Sequence, residues 1–209
     1  MPELPEGRVT QAIAVGTAIA FFLLWIAGWL SPASVLGGFI PARVSGLVAV
    51  PGAVPVWLTP LSATLVHAGL LHLGLNLVMF VFVGRFVESV IGGAPSLVLY
   101  LIGAYAAALA QYLAGPSGPV PMVGASGAIS ATFGAYAVFF SRSRAKAIGP
   151  ISPFVVRVVW LAAGWIFVQT LIGLAGIGGV RVAIAAHIGG FLAGLAHARP
   201  LLLWRYRKA

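Results

Sequence analysis

Residues 61–83 read LSATLVHAGLLHLGLNLVMFVFV, twenty-three residues without one charged side chain. At about 1.5 Å of rise per residue, a helix of that length reaches across a hydrocarbon core about 30 Å thick. Yet the run carries His67, His72 and Asn76, polar groups that are costly in lipid and therefore need a reason. His72 and Asn76 lie four residues apart, so a helix sets both on one face. Such a pair can simply bond neighbouring helices, so it defines no chemistry alone.

Outward from this run the same pattern repeats. Further apolar stretches cover residues 10–30, 95–114, 126–140, 154–175 and 182–198, each ending near Gly, Pro or a charge. Over the 209 residues, 61% are hydrophobic and only 7% charged, and the mean hydropathy is +1.07. That charged share is far below the roughly 25% of soluble domains. The expected fold class is therefore all-α, a polytopic membrane protein of six spans. Six spans of about 20 residues consume nearly the whole length, which predicts a single domain over residues 1–209. The first apolar run is longer than a signal-peptide core and has no small-residue cleavage site at its end, so it is expected to be a retained helix. The connection at 31–59 is rich in proline and glycine, yet Phe39, Ile40, Leu47, Val48, Val50 and Trp57 keep it apolar. It is expected to rest on the lipid bilayer.

The net charge of +9 does not point to nucleic acid, because Lys and Arg fall in short groups between apolar segments and not in a stripe with interleaved aromatics. Membrane topology accounts for them. With the N-terminus inside, Arg8, Arg85, Arg142, Arg144, Lys146, Arg199, Arg205, Arg207 and Lys208 fall on the cytoplasmic side, leaving Arg43 and Arg181 outside. Arg157 can snorkel from the cytoplasmic start of span five. Both termini are thus expected in the cytoplasm. The chain has no cysteine, which removes disulfides and thiolate metal sites.

Polar residues inside the other spans share one depth with His72. Ser126 opens span four sixteen residues before Arg142, roughly 24 Å above the cytoplasmic boundary. His72 stands thirteen residues before Arg85, roughly 20 Å up. His187, in span six, is six residues past Arg181 and roughly 9 Å below the outer boundary. Span four is also too short to cross alone. The irregular segment 115–123, with Pro116, Pro119 and Pro121, replaces its outer length. Non-helical backbone at that depth must be buried in protein or line a wet cavity. His197, beside Arg199, reads as interfacial.

The available side chains narrow the chemistry. The only carboxylates are Glu3, Glu6 and Glu88, and no aspartate exists, which excludes paired-aspartate proteolysis. No His-Glu zinc pattern is present either, so neither metal nor cofactor is expected. A serine with a histidine base and no carboxylate remains possible, a dyad of Ser126 and His187. Gly124 and Gly127 flank Ser126 with little to obstruct a substrate. Open first-turn N–H groups at the start of span four could stabilise an oxyanion, with His72 and Asn76 as further donors. The bland alternatives are a helix-capping serine and a bonded core histidine. Gly189, Gly190 and Gly194 give span six a small-residue face, which allows the close approach that a Ser–His bond requires.

Taken together, His72-Leu-Gly-Leu-Asn76, Gly124-Ala-Ser126-Gly127 and Ala186-His187-Ile-Gly189-Gly190 resemble the motifs of rhomboid proteases in order and in span placement. The resemblance covers nearly the whole chain and extends to His67, Gly84 and Glu88. It implies a rhomboid-like six-helix bundle and an intramembrane serine endopeptidase with Ser126 as nucleophile and His187 as base and then acid. It further implies an oxyanion pocket from His72, Asn76 and the Ser126 amide, no cofactor, and single-span membrane proteins as substrates, cut near the outer part of their helix. Two positions depart from the family. Some bacterial members carry an aromatic residue four after the nucleophile to pack on the base, where this chain has Ser130. The Trp-Arg pair of the first loop is represented only by Trp57, followed by Leu58. A catalytically dead relative that escorts membrane clients would lack the nucleophile or base, and a transporter would call for repeats and intramembrane carboxylates. The absence of eukaryotic targeting features favours a bacterial inner membrane.

Overall fold

The computed structural model describes residues 4–140, 146–174 and 183–207, with side chains omitted at 169–174. Arg142, Arg144, Arg181 and Lys208, used above to orient the chain, lie outside the described residues, as does the junction between spans five and six. The described residues form helices and no strand. In chain order these are α1 (Arg8–Ile26), α2 (Leu30–Gly37), α3 (Pro41–Val44), a 3-10 turn at Val56–Leu58, α4 (Thr59–Leu65), α5 (Leu70–Ile91), α6 (Gly93–Ala114), α7 (Ser126–Phe139), α8 (Pro153–Leu174) and α9 (Ile184–Tyr206). Helices α1, α5 and α6 are each long and apolar enough to cross a membrane, which makes the chain a polytopic helical membrane protein. Six helices, α1 and α5 to α9, answer the six expected spans.

Span one ends at Ile26 and not at residue 30, where α2 begins instead, and two further boundaries differ from the sequence reading. The run 61–83 is not one helix: α4 stops at Leu65, the chain is extended at Val66, and α5 starts at Leu70 and continues to Ile91. Partners distant in sequence make the break. The Gly124 N–H donates to the Ala63 carbonyl at 2.8 Å, and the Ala125 N–H reaches His67 Nε2 at 3.4 Å. Span six likewise runs past Ala198 through Pro200 to Tyr206. Proline inside a helix costs about 3 kcal/mol. Opposing that cost, Leu201, Leu202 and Trp204 pack on the core, and Arg205 Nη1 donates to the Ser89 and Val90 carbonyls at 2.7 Å each, closing the end of α5.

The short helix α7 lies at the centre. All its residues from Ser126 to Ala135 are buried, as is Ala137, because α5, α6, α8 and α9 surround it. A helix apolar on every side belongs in such a place. Its neighbours come close because glycine faces them. A Cβ on Gly103 of α6 would stand 2.6 Å from the Ala131 Cβ, and one on Gly134 or Gly194 would strike backbone of the opposing helix. Against α5, α1 is held by a buried carboxylate. Glu88 accepts from the Val9 N–H at 3.0 Å, the Thr10 N–H at 2.8 Å and the Thr10 hydroxyl at 2.7 Å, capping a helix whose own N-cap, Gly7, supplies no side chain.

The irregular segment before α7 is pinned by the first loop, although none of residues 115–123 is buried and Val120 is half-exposed. Phe39 and Met122 exchange both backbone hydrogen bonds, at 2.9 and 2.8 Å, and the Ala42 N–H donates to the Gly118 carbonyl. The loop itself is tied by Arg43 Nη2 to the Val54 carbonyl at 3.0 Å and by the Tyr105 hydroxyl to the Trp57 carbonyl at 3.0 Å. Trp57 thus anchors through its backbone, while its ring is 68% exposed among other apolar side chains of this segment.

Candidate active site

Ser126 is the first residue of α7, and the residue before it, Ala125, contributes no capping side chain. Its hydroxyl does not cap the helix. Instead, Ser126 Oγ stands 2.8 Å from Nε2 of His187, in the first turn of α9. Glycine makes that distance possible: a Cβ on Gly190 would strike the Gly127 carbonyl oxygen and lie 3.1 Å from the Ser130 Cβ. Both members of the pair are buried, Ser126 at 7% and His187 at 4% exposure.

His72 and Asn76 line the α5 side. His72 Nδ1 takes the Ala68 N–H at 3.4 Å, so the ring proton belongs on Nε2. That nitrogen lies against Gly124, two residues before Ser126, where a Cβ would be 2.7 Å from it. Asn76 donates one amide hydrogen to the His72 carbonyl at 2.9 Å and retains a second. His67 packs its ring 5.0 Å from that of His72 and meets the Ala125 N–H, which braces the turn into α7. Of the residues singled out in the sequence, Ser126, His187, His72, Gly124, Gly127 and Gly190 thus converge. His197 stays apart, bonded to the Ala193 carbonyl of its own helix.

One neighbour of the pair was not foreseen. Trp165 of α8 sets its ring edge-on to His187, with centroids 6.3 Å apart at 65°. Its indole N–H donates to Ser130 Oγ at 2.7 Å. Ser130, in turn, donates to the Ser126 carbonyl at 2.7 Å. A buried indole N–H usually takes an acceptor, and that need was the one sequence signal available.

A helical membrane protein that buries a serine–histidine pair between two closely packed helices, beneath an irregular loop, is the class defined by this fold and site. The chain belongs to the rhomboid family: the model of the Rhomboid domain matches residues 55–204. It is also similar to rhomboid protease GluP of Bacillus subtilis (strain 168), at 29% identity over 183 residues. That match takes in 87% of this chain and 33% of the relative, so the chain spans about a third of the relative's length.

Proposed function

We propose that this protein is an intramembrane serine endopeptidase that works by a Ser126–His187 dyad. The observation that carries the reading is the 2.8 Å separation of Ser126 Oγ and His187 Nε2. His187 takes the hydroxyl proton as Oγ attacks the scissile carbonyl carbon. The resulting oxyanion is met by the Ser126 N–H, by His72 Nε2–H and by the free hydrogen of the Asn76 amide. His187 then passes its proton to the leaving amine. Water, deprotonated by the same ring, cleaves the acyl-enzyme and restores Ser126.

The substrates are single-span membrane proteins, cut near the outer part of their helix, and the reaction needs no cofactor. The chain acts as one domain in a bacterial inner membrane with both termini in the cytoplasm. Family membership and the named protease relative support this reading.

The test is reconstitution in liposomes with a single-span test substrate. Wild type cleaves and Ser126→Ala does not; equal cleavage by both removes the nucleophile. Fluorophosphonate labels wild type at Ser126 and leaves His187→Ala unlabelled. Labelling of that variant at the wild-type rate removes the base.

A further inference from the structure

We propose that Trp165 is a positioning residue for the His187 ring, held to that task by the Ser130 hydroxyl. The inference rests on the dyad reading above. A serine–histidine pair without a carboxylate lacks the group that usually fixes the imidazole. The chain also lacks an aromatic residue four after Ser126, since Ser130 stands there. The Trp165 ring meets His187 edge-on from α8 and supplies a wall against which the imidazole can be held.

Three contacts keep that wall in place. The indole ring stacks on Phe133 of α7 with centroids 4.5 Å apart at 23°. Its N–H donates to Ser130 Oγ, and the Ser130 hydrogen is committed to the Ser126 carbonyl. Ser130 therefore uses its donor on the nucleophile's own peptide group and its acceptor on the indole. The result is a closed circuit: Ser126 to His187, His187 to Trp165, Trp165 to Ser130, and Ser130 back to Ser126. Both Ser130, at 0% exposure, and Trp165, at 3%, are sealed from solvent, so water cannot replace either bond. A serine at this position does by a hydrogen bond to a neighbouring helix what an aromatic side chain there would do by direct contact.

The test compares wild type, Ser126→Ala, Trp165→Leu, Trp165→Phe, Ser130→Ala and the Trp165→Phe/Ser130→Ala double variant in liposomes with the single-span test substrate. Trp160→Leu, at a residue of α8 that is 72% exposed, is the control and keeps wild-type turnover. An aromatic edge contact corresponds to a factor of about threefold to tenfold in rate. Trp165→Leu lowers kcat by about tenfold with KM within about twofold. Trp165→Phe recovers part of that loss, because a ring remains. Ser130→Ala lowers kcat by about threefold, and the double variant is no slower than the slower single one, because both changes break the same bond. A residue that only packs α8 would change the unfolding temperature and leave kcat alone. Wild-type kcat in Trp165→Leu beside an inactive Ser126→Ala overturns this inference and spares the dyad. Multiplying effects in the double variant also overturn it. Cleavage by Ser126→Ala at the wild-type rate removes both. Should Trp165→Leu fail to fold, Trp165→Phe and Ser130→Ala decide the matter.

Discussion

Gly124 and His72 are packed so closely that a Cβ on the glycine would lie 2.6 Å from Cε1 and 2.7 Å from Nε2 of the imidazole. The same glycine has φ of +109°, a conformation that strains any L side chain. The turn that delivers Ser126 to the start of α7 is therefore shaped against the ring from α5. Gly124→Ala meets both obstacles, and relief requires the ring to turn away from the Ala68 N–H. We expect turnover to fall at least about tenfold and the protein to lose about 1–3 kcal/mol of stability. Liposome cleavage rates and thermal unfolding in detergent check the two effects, and wild-type behaviour in both would contradict the packing described.

The approach of α9 to α7 rests on Gly190 in a similar way, but the obstacle there is backbone. A methyl group at Gly190 would meet the Gly127 carbonyl oxygen, which has no side-chain freedom to retreat. The helices must separate, and the 2.8 Å contact between Ser126 and His187 opens with them. Overpacking of this kind costs about 1–3 kcal/mol, so much of the fold should survive. Gly190→Ala is thus expected to remain folded while fluorophosphonate labelling of Ser126 slows more than about tenfold, since a proton transfer needs hydrogen-bond reach. Labelling at the wild-type rate would mean that the helices have room to spare.

How much of this was legible in sequence depends on how local the cause is. The apolar runs foretold the long helices because hydropathy is a property of each segment. Ser126, His187 and His72 stood out because a polar group in lipid is conspicuous one residue at a time. The break at residues 66–69 was hidden, since Leu65 and Val66 are as apolar as their neighbours and the hydrogen bonds that stop α4 come from Gly124 and Ala125. The passage of α9 through Pro200 was hidden too, because Arg205 finds its carbonyl acceptors on α5. Trp165 looked like one more apolar residue of span five. Its meaning appears only once Ser130, thirty-five positions earlier, is seen to accept its N–H.

Glu88 makes a prediction about stability apart from chemistry. Its carboxylate satisfies three donors at the start of α1, and a helix end without partners is costly. Hydrogen bonds to charged groups contribute about 1.5–3 kcal/mol each, and orphaned buried donors add their own penalty. Glu88→Ala should therefore lower the unfolding temperature by several degrees. Glu88→Gln, which keeps one carbonyl acceptor, should lose less. Cleavage per folded molecule stays close to wild type in both, because Glu88 does not touch the Ser126 pocket. A selective loss of kcat with unchanged stability would assign Glu88 a different role.

In the proposed dyad mechanism the donors on α5 would meet the oxyanion. His72 turns Nε2 toward Gly124 while Nδ1 faces the Ala68 N–H, and Asn76 has one amide hydrogen left after bonding the His72 carbonyl. Removing one preorganised donor from an oxyanion costs about 10²–10³ in kcat. His72→Ala and Asn76→Ala should each fall in that range with KM little changed, because the charge exists only in the transition state. Their effects should combine to less than the product, since both donors serve one oxygen. His72→Ala carries a further expectation: the Asn76 bond is to the His72 backbone carbonyl and survives, so Asn76 still contributes and residual turnover exceeds that of Ser126→Ala. Rates for both single variants within about threefold of wild type would place the developing charge elsewhere, on the first-turn amides of α7 alone.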